Sequence, residues 1–563
     1  VPSDEAAFDL TVRPWLPVLR EDGTEDELSL LEVFVEAGQV RRLLGDVPTQ
    51  ELALLRLLLA VLHDVVDGPV DLDDWQRLWE DGLPLDGPDG IAAYLDRHRQ
   101  RFDLLHPETP FFQTAGLRTE KDEVASLDRL VADVPNGTRF FTMRAHGVQR
   151  LSFAEAARWV VHAHAFDTSG IKTGAAGDTR AKGGKVYPQG VGWTGNLGGI
   201  FVDGANLRET LLLNLIAFDT PGFRVDAGAD RPAWRHPPPG PQEMEPLELS
   251  RRPGGVRDLY TWQSRRVRLA CDHDGVTGVV LAYGDPLAPR NMHQREPMTA
   301  WRRSPAQEKK LGEPQVYLPR EHDPAASAWR GLGALVAGRV AGAGQRQEAA
   351  EIVRPRILDW VARLTVEGDF PEDFLVRTRL VGAQYGTQQS VIDEVVDDAI
   401  TMPVVLLHQR DSLLGQAAID AVDDAKQAVD VLGDLAADLA RAIGADPEPA
   451  RAHATTLGFG MLDGPFREWL TALSPEDEPQ SQRAQWQERA RRIVGRLGDQ
   501  EVRDAGEGAW EGRVVQTKSG QELWLNAPRA DATFRHRLRK VLPGVGPEPA
   551  GREVEEQPME AAS

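Results

Sequence analysis

The sequence predicts an α+β fold. A large mixed N-terminal domain over residues 8–399 precedes a C-terminal antiparallel four-helix bundle over 400–545 and a disordered acidic tail over 546–563. Three observations predict it. At 563 residues the chain is too long for one core, so two or three domains are expected. Before residue 400, β-rich stretches such as "VRLACDHDGVTGVVLAYG" are interspersed with helical runs. After it, Val422, Ala425, Val429, Leu432, Ala436, Leu439 and Ile443 step alternately by 3 and 4, a heptad seam that needs a covering helix.

In chain order, "FDLTVRPWLPVL" reads as a short strand and the Leu-rich 51–66 run as helix. Residues 104–114 form a Pro-punctuated loop, 124–135 a helix, and Asn136–Gly137 a turn. A helix at 153–165 leads into a glycine-rich region, and 206–216 returns to helix. The Pro-rich 221–260 stretch predicts a long surface loop, and 262–283 predicts strands. Helices follow at 325–340 and 346–364, then strand, turn and strand through 375–397. Further helices at 449–472, 482–498 and 529–541 pack with the seam helix into the bundle. The tail holds five Glu, one Arg and no core residues.

Composition narrows the function. The net charge of −23 argues against a protein that coats nucleic acid over its whole surface. It leaves room for a local basic groove, and "RRVR" (265–268), "WRRS" (301–304), "ERARRIVGR" (488–496) and "RHRLRK" (535–540) are the clusters available. A lone cysteine, Cys271, excludes an internal disulfide framework and fits a reducing cytoplasm. The longest apolar run is broken by Arg56 and His63 and is too short to span a bilayer, and no secretion signal opens the chain.

Catalytic patterns fail one by one. "GDTRAKGGKV" lacks a phosphate loop's first glycine, where Thr179 stands, and Val186 replaces the hydroxyl that would hold magnesium. His162 and His164 sit two apart on a helix and point to different faces, so they read as satisfied histidines. Cys271, Asp272 and His273 supply too few thiolates for structural zinc, and Asp423–Asp424 and Asp397–Asp398 read as solvated faces. No catalytic residue, metal or cofactor is expected.

What stands out instead is "AKGGKVYPQGVGWTGNLGG", residues 181–199, with seven glycines in nineteen positions. Glycine raises the entropy that folding must overcome. Either something approaches this backbone closely, or it turns where other residues cannot.

Several pieces, in order along residues 8–545, resemble one family: CasA, the large subunit of the type I-E CRISPR Cascade surveillance complex. "RPWLPV" (13–18) is similar to the family's Trp-Ile-Pro-Val strand, and "HPETPFFQT" (106–114) to its His-Pro-Phe-x-Gln segment. "GANLRETLLLNLI" (204–216) and "VGAQYGTQQSVID" (381–393) resemble its Leu-Arg-x-Thr run and its Gly-x-Tyr-x-x-x-Gln hairpin.

The resemblance implies a non-enzymatic subunit that recognises the PAM in double-stranded target DNA through the minor groove, starts strand separation and recruits the helicase-nuclease. Guide RNA, the small subunits and the backbone subunits would be its partners; a scaffold subunit or a standalone nucleic-acid-processing enzyme is the alternative. It places Gly190 at the PAM contact, flanked by Gln189, Val191 and Gly192, where a Cβ would clash with groove edges. Lys182 and Lys185 would meet phosphates. Gln389, or Gln388 beside it, falls at the strand-separating wedge. Phe141, or Phe140, would stack on the guide RNA 5′ handle. Arg489, Arg492 and Arg496 are candidates for the displaced strand. Two departures from the family stand out. No lysine occupies the β segment near "CDHDGVTG", where Arg265, Arg266 or Arg268 could substitute, and a four-cysteine zinc site cannot be built.

Overall fold

The computed structural model describes residues 7–132, 147–336, 351–408, 412–516 and 520–544. It divides into two compact units, residues 1–408 and 409–563.

The first unit opens on a three-stranded antiparallel sheet, with β1 (Leu16–Arg20) between β2 (Glu25–Leu28) and β3 (Val40–Leu43). The strand starts at Leu16, not Phe8, because Asp9 turns the chain: its carboxylate accepts from the Thr11 amide and its carbonyl from the Arg13 amide. The Leu-rich run becomes α1 (Pro48–Val65), with Pro48 in its first turn and nearly every side chain buried. Arg56, inside this apolar helix, donates to both oxygens of buried Glu296 at 3.0 and 2.8 Å and lies 4.3 Å above the Tyr260 ring. A fixed ion pair thus replaces the water that a charge on this helix would otherwise need. Among the described residues, no helix is long and apolar enough to cross a membrane.

Helix α2 (Phe153–Phe166) starts at a capping box formed by Ser152 and Glu155 and packs on α1. Then come the short strands β4 (Lys172–Thr173) and β5 (Lys185–Val186), strand β6 (Gly199–Asp203), helix α3 (Leu207–Leu213) and the hairpin of β7 (Arg265–Asp272) and β8 (Gly275–Tyr283). Strands β9 (Leu375–Tyr385) and β10 (Ile392–Pro403) form a long hairpin, with β6 pairing along β9 only from Arg377 to Val381. The end of the hairpin, 382–391, therefore extends beyond the three-stranded sheet.

Several expectations change. Among the described residues of 124–135, the only helical turn is Leu127–Arg129, and Asn136–Gly137 lie outside them. The Pro-rich 221–260 stretch is not all surface: Asp230, Trp234, Arg257 and Asp258 are buried, and the Asp230 carboxylate accepts from the amides of Arg257 and Asp258. Residues 352–353 are strand, and the helix beyond begins at Arg356, after Pro355. Within 325–340, Ala328–Gly331 form a 3-10 turn and Gly333–Val336 a single helical turn. The first unit runs past residue 400, because β10 continues to Pro403 and a 3-10 turn to Leu407.

The second unit holds four long helices: α4 (Ser412–Ile443), α5 (Pro447–Thr471), α6 (Pro479–Asp504) and α7 (Ala527–Val541). Helix α4 packs against the other three. Its seam is buried except at Ile443, which is exposed. Asp424 is not on a solvated face: it is buried and receives hydrogen bonds from Arg483 and Gln487. Asp397 is exposed, as expected, although it accepts from Arg379, and half-buried Asp398 accepts from the Ala328 amide. A hairpin of β11 (Arg513–Gln516) and β12 (Glu522–Leu525), absent from the sequence reading, precedes α7.

Both histidines of α2 are buried, with His162 hydrogen-bonded to the Thr49 hydroxyl and His164 to the Phe112 carbonyl. Burial pushes His63 and His162 down to about 3 and His164 to about 4. Unfolded, each titrates near about 6.5. Below that pH the unfolded chain binds protons that the folded chain refuses, so stability falls as pH falls toward the folded values. Asp230, raised by burial to about 6, opposes this, since its folded form takes up a proton first. The melting temperature should therefore drop between pH 7 and 5, and His162→Gln should flatten that drop. The removed slope approaches about 1.4 kcal/mol per pH unit once the unfolded imidazole is fully protonated. An unchanged slope in the variant would mean that His162 charges without cost.

Candidate nucleic-acid interface

The seven glycines divide by what surrounds them. Gly183 and Gly184 have φ of +59° and +74° and form the turn that joins Lys182 to Lys185, whose side chains are exposed. Gly190 has φ of +96°, and a Cβ there would meet no atom within 4 Å. These three are glycine because the backbone is left-handed. The others make room for close packing. A Cβ on Gly192 would run into the backbone at Ala165 and Phe166, one on Gly195 into Tyr385, and one on Gly199 into Leu52 and the Val381 carbonyl. Val191 and Gly192 are buried, so the accessible part of the expected contact narrows to Gln189 and Gly190.

The glutamine pair sits at the end of the β9–β10 hairpin. Gln388 is exposed and Gln389 half-buried, with φ of +57° and +55°. Gln389 and the glycine segment line one cleft of about 250 Å³, together with Arg265, Tyr283 and Pro286. Elements about 200 residues apart in sequence thus share a wall.

Residues 166–170, the last residue of α2 and the four after it, join them. The Ser169 amide donates to the Gln389 carbonyl at 2.8 Å, and the Ser169 hydroxyl accepts from the Gly190 amide at 3.3 Å. The Gly192 amide donates to the Asp167 carbonyl at 2.9 Å, and the Tyr385 hydroxyl to the Phe166 carbonyl at 2.7 Å. Buried Arg265 donates to the carbonyls of Asp167, Thr168 and Gly190 and pairs with the Asp167 carboxylate, which Lys172 also meets at 2.7 Å. Burial alone would raise the Asp167 pKa, but the two cations together hold it below the ordinary value. From below, the Trp193 indole donates to Glu296 at 3.0 Å, anchoring the segment to the ion pair of α1.

Sequence reasoning missed Arg180 and Ser169. Arg180 donates to the Gln189 amide oxygen at 3.0 Å, to the carbonyls of Tyr283 and Gly284, and to Asp178. With its oxygen so occupied, Gln189, which lines the cleft, keeps its NH₂ as a donor. An Arg inside the failed phosphate-loop pattern was the available signal; Ser169 had none. Arg265 and Arg266 cannot replace the family's groove lysine, because both are buried and spent on Asp167 and Asp285. Arg268 is exposed and donates to the Leu117 carbonyl. Phe140 and Phe141 lie outside the described residues. In the second unit, Arg489, Arg492 and Arg496 line one groove with Met461 and Pro465, and Arg489 pairs with Glu468. Among the described residues, the one trio with metal-ligand proximity is Asp272, His273 and Asp274 at the β7–β8 turn, all exposed, with Asp272 already paired to Arg150.

The family model described as CRISPR-associated protein Cse1 matches residues 9–497. The chain is similar to the crystal structure of Thermobifida fusca Cse1, with 65% identity and a TM-score of 0.88 over 95% of this chain and 98% of that one. It is also similar to the crystal structure of Cse1 from Acidimicrobium ferrooxidans, with 31% identity and a TM-score of 0.79 over 96% and 98%. Among curated proteins, the CRISPR-associated protein CasA/Cse1 of Thermus thermophilus is 33% identical over 305 residues, 52% of this chain and 55% of that protein, so the match spans about half of each.

Proposed function

The chain belongs to the Cse1 family, and from that footing we propose that it is the PAM-reading large subunit of a type I-E CRISPR Cascade complex in the cytoplasm. In this reading the cleft between Gly190 and Gln389 takes the minor groove of double-stranded target DNA. Gly190 lets the groove edge approach the backbone, the Gln189 amide reads acceptors, and Lys182 and Lys185 meet phosphates. The glutamine turn enters at the first step to open. Guide RNA then reads the target by pairing, as in RNA-guided recognition generally. Small and backbone subunits carry that RNA, and the assembled surface recruits the helicase-nuclease.

The observation that carries this reading is the shared cleft, with groove reader and strand opener bound to the same five residues. Gel-shift binding of the purified guide-RNA complex to duplexes with and without a PAM tests it. Tighter binding of the PAM duplex is expected; equal binding would sink the reading.

The four long helices of the second unit are, on this view, the family's bundle, and the groove of Arg489, Arg492 and Arg496 follows the displaced strand. Reversing all three to Glu should weaken the open complex several-fold at low salt and little at high salt. The slope of log K against log salt should become shallower by at least about 2, given about 0.7 per single-strand phosphate contact. A defect of equal size at every salt concentration would place the damage in packing.

A further inference from the structure

A second cavity, of about 450 Å³, is lined by residues 167–170, which hold the glycine segment and the glutamine turn of the first cleft. Its walls come from those residues, from the 119–129 segment, from β8, and from Ser390 and Val391 just past the glutamine turn. Gln389 lines the first cleft, and Ser390 and Val391, next in sequence, line this one. Its size lies within the roughly 300–1,000 Å³ typical of small-molecule sites.

The lining has the mixed chemistry of a base site. Val124 and Ile171 are aliphatic yet 54% and 55% exposed, and both line this cavity. Thr168 and Thr173 add hydroxyls, and exposed Arg129 adds a cation. The charges decide which part of a nucleotide enters. Lys172 is already paired with Asp167, and Glu123 would repel a phosphate brought inside. An uncharged ring with apolar faces and polar edges suits the interior, while its phosphate stays outside near Arg129.

We propose that this cavity holds one unpaired nucleotide, the first released beside the PAM, with its base against Val124 and Ile171. The proposal rests on the reading of the glutamine turn as the strand opener. Binding there would stabilise the opened duplex after the wedge has acted, because an unstacked base loses contacts that a pocket can return.

The test uses the guide-RNA complex and a PAM duplex pre-melted next to the PAM, with 2-aminopurine at the first unpaired position of one strand or the other. A base moved from its stack onto aliphatic walls should brighten on binding for one of the two strands. Val124→Ala with Ile171→Ala should remove most of that brightening and weaken the pre-melted duplex about fivefold. Affinity for a closed PAM duplex that cannot pair with the guide should stay the same, and Ile171→Met should restore the signal. Both side chains are more than half exposed, so the fold should survive, as a melting curve would verify. Brightening unaffected by the double variant would overturn the proposal. So would a double variant that folds but fails to assemble into the complex, which would make the cavity a protein-docking site. A wild-type complex indifferent to the PAM would instead overturn the functional reading itself.

Discussion

Gly190→Leu should lower the affinity of the guide-RNA complex for PAM duplex about 100-fold while the chain still folds. Two effects separate cleanly here. At φ of +96° any L-residue is strained, at roughly 1–2 kcal/mol. Gly190→Ala carries that strain with almost no added bulk, so it serves as the reference. No atom lies within 4 Å of a Cβ at this position, so a side chain here leaves the backbone into open space. It projects from the wall of the cleft where the groove edge would lie. Leu should therefore melt close to Ala but bind far more weakly than Ala. Binding by Leu as tight as by Ala would mean that bulk beyond the Cβ meets no groove edge, and wild-type binding by both would overturn the placement of the loop.

Replacing Gln388 and Gln389 together by Ala should slow opening of a fully paired target about 100-fold. Both residues are left-handed, and Ala carries the same backbone strain as Gln, so the change isolates the side chains. A wedge offsets lost stacking, at about a few kcal/mol per step. A target already melted next to the PAM has no step left to open, and the variant should recover on it. Strand-opening fluorescence timed on both substrates checks this. An equal delay on the two would assign these glutamines to holding DNA or to the fold.

Much of this was legible because periodicity is local. The seam over 422–443, the Leu-rich helix and the two long hairpins each repeat a pattern within a few turns or residue pairs. The 221–260 stretch was misread for a physical reason. Its prolines mark irregular backbone, but irregular backbone can still be buried when carboxylates such as Asp230 and Asp258 satisfy its amides and arginines. The glycine segment was half legible. Composition announced an unusual backbone, but whether a glycine turns the chain, as Gly190 does, or makes room for a neighbour, as Gly192 does, depends on what lies above it. The link through 166–170 left no trace in the sequence. It joins Arg265 to Gly190 across 75 residues and Tyr385 to Phe166 across 219, and no short window contains both ends.

That link limits how the protein can be re-engineered. Residues 166–170 receive the glycine segment through Gly190 and Gly192, and the hairpin through Gln389 and Tyr385. On the proposed reading, a graft that imports only a relative's glycine loop, to change which PAM is read, would leave donor and acceptor spacings cut for the old loop. The smallest portable cassette is three segments, 166–172, 180–199 and 382–391, with Arg265 retained because it ties the first two. Exchanged together, they carry their own alignment into a new host; exchanged singly, each loses the neighbour that sets its position.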